Sequence, residues 1–63
     1  MSRINRSLAD GNITCKFFGT DQVVSLFLYT TKNEDELSFL QAHVIHLVDR
    51  EDPAWWKGEL QDR

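Results

Sequence analysis

The chain has 63 residues, of which 41% are hydrophobic and 27% charged, and its formal net charge is −3. This length allows one small domain, which buries only about 60% of its unfolded surface. No run approaches the roughly 20 apolar residues of a membrane span, and the first residues lack the apolar run of a secretory signal. Without such an apolar run, we expect no membrane insertion. The single Cys15 cannot form an internal disulfide, so we expect an inert, buried thiol and a cytoplasmic setting.

The negative charge is concentrated in the second part of the chain. Residues 25–63 carry four basic and eight acidic groups, whereas residues 1–24 have a small positive excess. Binding to nucleic acid depends mainly on contacts from Lys and Arg to phosphates, so this distribution argues against a nucleic-acid partner. It favours a basic peptide as the partner.

The first third of the chain contains one predicted strand. Residues 1–11 are polar and sustain no helical period, which predicts a mobile arm. Residues 12–18 alternate between polar and apolar side chains, as in a half-buried strand. The apolar face of this strand consists of Ile13, Cys15 and Phe17. A polar turn at 19–22 connects it to a second strand over 23–29, so we predict a hairpin.

The remainder of the chain also favours strands. A polar loop over 30–36 is followed by the inward-facing Leu37 and Phe39, and then by an apolar strand over 44–48. An acidic turn precedes the last strand, Trp55 to Leu60. The fold class that these elements predict is all-β.

Catalytic and metal sites are not indicated. No Ser/His/Asp or Cys/His set is close in sequence, and there is no phosphate-binding loop, so we do not expect an enzyme. His43 and His46 have an odd spacing, which places their rings on opposite faces of a strand, whereas a metal needs converging ligands. We therefore expect no metal and no cofactor.

Trp55 and Trp56 are adjacent in the last strand. Because neighbouring side chains of a strand point to opposite faces, one indole can pack inward while the other stays on the surface. A surface indole is a flat apolar platform with an N–H donor and suits recognition. The alternative is that both rings simply cover the core.

A second set of residues favours recognition of a proline-rich peptide. Such a ligand is preordered as a polyproline II helix and exposes its carbonyls. Binding requires aromatic walls for the proline rings, donors for the carbonyls, and carboxylates for any Arg or Lys of the ligand. The chain supplies these groups as Phe27, Tyr29 and Trp55, with Glu34, Asp35 and Glu36 in the acidic loop.

Three motifs in this order resemble an SH3 domain over about residues 23–63. They are Ser25-Leu26-Phe27-Leu28-Tyr29, Asn33-Glu34-Asp35-Glu36-Leu37-Ser38-Phe39 and Trp55-Trp56-Lys57-Gly58-Glu59-Leu60. The resemblance implies a small barrel that binds proline-rich, basic segments of other proteins, as signalling adaptors do. By motif position, Phe27 and Tyr29 match the two tyrosines of the family's Ala-Leu-Tyr-Asp-Tyr sequence. Trp55 matches the tryptophan of the specificity pocket, and Glu36 and Glu34 match its loop acids.

The sequence departs from the family in ways that affect these expectations. Ser25 replaces a small apolar residue, which places a hydroxyl where the core is expected. The closing Leu-Phe-Pro-Ser-Asn-Tyr-type stretch and final strand are absent after the last motif. We therefore divide the chain into an arm with an extra strand (1–22) and a partly open barrel (23–63). One hypothesis is that Ile13–Phe18 fills part of the vacancy. The competing hypothesis is that another chain fills it, through strand swapping into a dimer or through a partner's strand. For the function, the alternative is an SH3-like fragment or variant that has lost proline binding and associates through its open sheet edge.

Overall fold

The computed structural model describes residues 2–61. Its elements are β1 (Ser2–Asn5), α1 (Arg6–Ala9), β2 (Cys15–Phe17), β3 (Gln22–Ser25), β4 (Val44–Asp49) and β5 (Trp55–Leu60). The five strands form an antiparallel sheet in the order β1-β5-β4-β3-β2. The all-β fold class is thus confirmed, with one short helix added between β1 and β2.

The first strand belongs to the sheet. β1 pairs with β5 along its whole length, and the side chain of Ile4 is fully buried. On the opposite side of β1, the N–H of Arg3 donates to the carbonyl of Asp35 at 2.7 Å, and the carbonyl of Arg3 accepts from the N–H of Leu37 at 2.7 Å. The expected mobile arm is therefore wrong for residues 2–5. Their pairing partners lie far along the chain, so no local pattern reveals them.

The helix α1 connects the two edges of the sheet. It starts from Asn5, whose side-chain oxygen accepts a hydrogen bond from the N–H of Ser7 at 2.9 Å, as expected for a helix N-cap. Ala9 is fully buried, and the helix packs against both β1 and β2, which are the outer strands. The helix thus brings the open sheet towards a barrel, and residues 6–9 also depart from the expected arm.

The predicted hairpin is present with shorter strands than expected. β2 and β3 pair in the register Cys15↔Ser25 to Phe17↔Val23. The first strand starts only at Cys15, because Asn12 has a φ of 62° and this left-handed residue interrupts the alternation. Ile13 is consequently 73% exposed instead of lying on the buried face.

The second strand ends at Ser25 and does not continue to Tyr29. The chain bends after Ser25, and Tyr29 returns to pairing only through an isolated bridge with Phe39. The hydroxyl of Ser25 is buried where we expected it. It donates to the carbonyl of Leu40 at 2.5 Å and accepts from the N–H of His43 at 2.9 Å. This side chain therefore ties the end of β3 to the turn that precedes β4.

Two segments form the outer strands of the sheet. Cys15–Phe17, within the proposed Ile13–Phe18, pairs with β3. At the other side of the sheet, β1 pairs with β5. The core contains side chains from both parts of the chain, namely Ile4, Ala9, Cys15, Val23, Leu37, Phe39, Ile45, Leu47 and Trp56.

Candidate functional site

The two tryptophans point in opposite directions from β5. Trp56 is 7% exposed and lies opposite Ile4 in the register of β1 and β5. Trp55 is only half-buried, so one indole faces the core and the other remains accessible. The turn before β5 is fixed by Asp52, whose Oδ1 accepts from the N–H groups of Ala54 at 2.8 Å and Trp55 at 2.9 Å. These two hydrogen bonds lower the pKa of Asp52.

Arg3 connects Trp55 to the acidic loop. Its guanidinium carbon lies 4.9 Å from the centroid of the Trp55 ring, within the range of a cation–π contact. Nη2 of the same side chain lies 3.7 Å from Oδ2 of Asp35. This geometry follows from the position of β1, which runs between β5 on one side and residues 35–37 on the other. A positive charge is thus held at the junction of the indole and the loop.

Tyr29 and Glu36 form a second group of contacts. The hydroxyl of Tyr29 donates to Oε2 of Glu36 at 2.5 Å, and the hydroxyl of Thr31 donates to Oε1 at 3.0 Å. The hydrogen bond from Tyr29 to Glu36 raises the pKa of Tyr29, and burial and the charge of Glu36 add to the effect. The ring of Tyr29 packs on Phe39 with 5.5 Å between the ring centroids. Both carboxylate oxygens of Glu36 therefore have internal partners.

The other two candidate residues lie outside these groups. Phe27 is in the bend after β3 with its side chain 60% exposed. Glu34 is an exposed residue of the loop. The contacts of the described residues join Tyr29 to Glu36, and they join Asp35 and Trp55 through Arg3, but they do not include Phe27 or Glu34.

Further acidic groups lie on another side of Trp55. A shallow depression beside the indole is lined by Asp49, Glu51, Asp52, Pro53, Trp55 and Lys57. Trp55 thus lies beside Arg3, which pairs with Asp35, and beside the carboxylates of the turn at 49–52.

Sequence reasoning missed Arg3. Only the pairing of β1 with β5 and with the loop brings this side chain to Trp55, and that pairing joins opposite ends of the chain. A weak signal existed in Ser2–Asn5, where a single apolar residue, Ile4, stands among polar ones and marks an inward-facing position. Four residues are too few to establish a period.

The described residues offer little for other chemistry. His43 precedes β4, and its Nδ1 accepts a hydrogen bond from the N–H of Leu40 at 3.2 Å, whereas His46 is exposed within β4. Between residues 2 and 61, no group of three or more His, Cys, Asp or Glu side chains is placed to hold a metal ion. In the same part of the chain, no helix is both long and apolar enough to cross a membrane.

An antiparallel five-stranded sheet that carries aromatic and acidic side chains on its surface defines a small all-β domain. A family model described as "SH3 domain" matches residues 24–63. This match covers more than half of the chain, and the chain therefore belongs to the SH3 domain family. SH3 domains are non-catalytic protein-interaction modules that generally bind proline-rich peptides.

Curated relatives agree with this assignment. Intersectin-1 of Xenopus laevis is 49% identical over 41 residues, which cover 65% of this chain and 2% of that protein. CD2-associated protein of Mus musculus is 43% identical over 56 residues, covering 86% of this chain and 8% of that protein. The chain thus spans only a small fraction of the relatives it matches. No solved structure matches the chain significantly.

Proposed function

We propose that the chain binds proline-rich peptides that carry Arg or Lys, in the polyproline II form. The aromatic groups would be Phe27, Tyr29 and Trp55, and the carboxylates would be Glu34, Asp35 and Glu36. Family membership supports a protein-interaction role in general. The finer assignment of these six residues is the proposal.

The observation that supports this binding proposal is the arrangement of side chains around Trp55. A half-buried indole lies next to an acidic loop, and a guanidinium sits 4.9 Å from the ring centroid with Asp35 at 3.7 Å. A basic side chain of a peptide would use the same combination of a ring face and a carboxylate. This arrangement supports a cation position at one end of the groove.

The aromatic part of the groove would take the proline rings. Phe27 presents an apolar surface that is 60% exposed, and Tyr29 packs on Phe39 with its hydroxyl towards Glu36. Stiff, preordered peptides lose little conformational entropy on binding, which favours such shallow sites. Because the interface is small, we expect an affinity on the order of micromolar or weaker.

The test is a proton–nitrogen NMR titration with a proline-rich peptide that contains one Arg, and with the same peptide carrying Gln in its place. Trp55→Ala is expected to abolish the ligand-induced shifts. Phe18→Ala is the matched control, because Phe18 is also an exposed aromatic (54%) but lies at the turn between β2 and β3. Equal binding by the Trp55 variant and the parent would refute the proposal.

The role of the carboxylates has its own comparison. Asp35→Asn and Glu36→Gln should weaken binding of the Arg peptide and leave binding of the Gln peptide within about twofold, because only the first ligand loses a charge partner. If both variants weaken both peptides equally, the acids support the loop and do not recognise the cation.

A further inference from the structure

We propose that Arg3 is an internal occupant of the cation position beside Trp55, and that a basic ligand must displace it to bind. The proposal rests on the function proposed above. It adds a regulatory contact within the chain, which lowers the affinity for cationic peptides and leaves neutral ones unaffected.

The backbone of Arg3 is anchored while its side chain is not. The residue pairs with Lys57 of β5, and its N–H and carbonyl bond to Asp35 and Leu37 at 2.7 Å each. Its side chain, in contrast, is 41% exposed and is held by a ring face and one carboxylate. A ligand can therefore move the guanidinium by changing side-chain rotamers, without opening the sheet.

The contacts of Arg3 are those that a ligand guanidinium would need. It lies over the ring of Trp55 and pairs with Asp35. A second cation cannot occupy the same ring face at the same time, and like charges at this distance repel each other. Binding of an Arg side chain and the observed position of Arg3 are thus mutually exclusive.

The size of the effect follows from the exposure of these contacts. A cation–π contact and an ion pair at the surface are each weak, and losing both corresponds to about a three- to tenfold change in affinity. Arg3 therefore tunes binding and does not block it. The ion-pair component should decrease with added salt, because exposed charges are screened.

The experiment compares Arg3→Gln with the parent and with Lys16→Gln in titrations with the Arg and Gln peptides. Lys16 is an exposed residue of β2, so its replacement changes the net charge equally without touching Trp55. Arg3→Gln should bind the Arg peptide about three- to tenfold more tightly and the Gln peptide within about twofold of the parent. Lys16→Gln should change both affinities by less than about twofold.

Arg3→Lys provides a graded variant. Lysine keeps the charge but stacks less well on an aromatic ring, so its affinity for the Arg peptide should lie between those of the parent and Arg3→Gln. In the free parent, the Nε–H resonance of Arg3 should be shifted by the ring of Trp55, and this shift should disappear in Trp55→Ala.

Each remaining outcome has a defined meaning. If Arg3→Gln binds the Arg peptide no more tightly than the parent, or binds it more weakly, Arg3 does not compete with the ligand. The inference is then wrong, while the proposed function stands. If the free parent shows no ring shift at Arg3, the contact is absent in solution and the inference again fails alone. If no variant binds either peptide, the proposed function fails, and this inference fails with it.

Discussion

The hydroxyl of Tyr29 donates a 2.5 Å hydrogen bond to Oε2 of Glu36, seven residues along the chain. This bond joins a predicted aromatic wall to a predicted loop acid, and Thr31 holds the second oxygen of the same carboxylate. A ligand carbonyl that accepts from Tyr29 would compete with Glu36 for the same hydrogen. The two residues should therefore respond to a ligand together, not independently.

Glu36→Gln should lower the pKa of Tyr29 towards its ordinary value. In the parent, the hydrogen bond to Glu36 is the largest cause of the raised pKa, and the charge of Glu36 also contributes. Tyr29 is the only tyrosine, so tyrosinate absorbance near 295 nm reports it directly. Glu34→Gln is the control, since Glu34 is an exposed loop acid outside this pair, and it should leave the titration nearly unchanged.

The same raised pKa has a consequence for stability. A phenol that is harder to ionise in the folded protein than in the unfolded chain stabilises the fold fully below the unfolded pKa of 10.0. That contribution is lost as the pH rises through the folded value. The pH dependence of unfolding in this alkaline range should be shallower for Glu36→Gln than for the parent, and identical slopes would contradict the assignment.

The sequence predicts the elements that carry a distinctive side-chain pattern of their own. The last strand was expected and found at Trp55–Leu60, and alternation within it correctly predicts one inward and one outward indole. The buried hydroxyl of Ser25 was also expected from its position in the motif. These features depend on side-chain patterns that a short window of sequence contains.

The features that the sequence did not predict depend on pairing between distant segments. Ser2–Asn5 covers the edge of β5, and Arg3 reaches Trp55 only as a result. The early end of β3 at Ser25 likewise follows from a turn at 40–43 that binds its hydroxyl. Strand propensity continues through Tyr29, but tertiary contacts override it.

Ala42→Gly should stabilise the protein by about 1 kcal/mol. Ala42 has a φ of 68°, a left-handed conformation in which a Cβ is unfavourable, and glycine adopts it without that cost. Ala54→Gly is the matched control, because Ala54 is also an exposed loop alanine but is not among the residues with positive φ. The control should lose about 0.5–1 kcal/mol of stability through the greater entropy of the unfolded chain. Denaturant unfolding followed by tryptophan fluorescence measures the free energy of unfolding of both variants. If both replacements change it in the same direction, the left-handed conformation of Ala42 does not destabilise the parent protein.

Cys15 should react slowly with thiol reagents at pH 8 in the folded state. Its side chain is fully buried, and this burial raises its pKa to about 11 from a reference of 9.0. Only the thiolate is nucleophilic, so the folded protein should resist alkylation while the denatured chain reacts readily. Stability should fall between about pH 9 and pH 11, where the unfolded chain releases the proton and the folded protein retains it. Cys15→Ala should lack this part of the pH dependence. If the parent protein is alkylated as fast in the folded state as in the unfolded state, Cys15 is not buried in solution.

Ile4→Ala should destabilise the protein strongly, by about 2–5 kcal/mol, because it removes a fully buried side chain of β1. Ile13→Ala is the matched control within the N-terminal part, since Ile13 is 73% exposed and its replacement should change stability by less than about 0.5 kcal/mol. Should Ile4→Ala prove too unstable to purify, Ile4→Val should still cost about 0.5–1.5 kcal/mol. Urea unfolding monitored by tryptophan fluorescence is a direct readout, since Trp56 lies opposite Ile4. Equal stabilities of the Ile4 and Ile13 variants would mean that β1 does not cover β5 in solution, and the contact between Arg3 and Trp55 would then lose its structural basis.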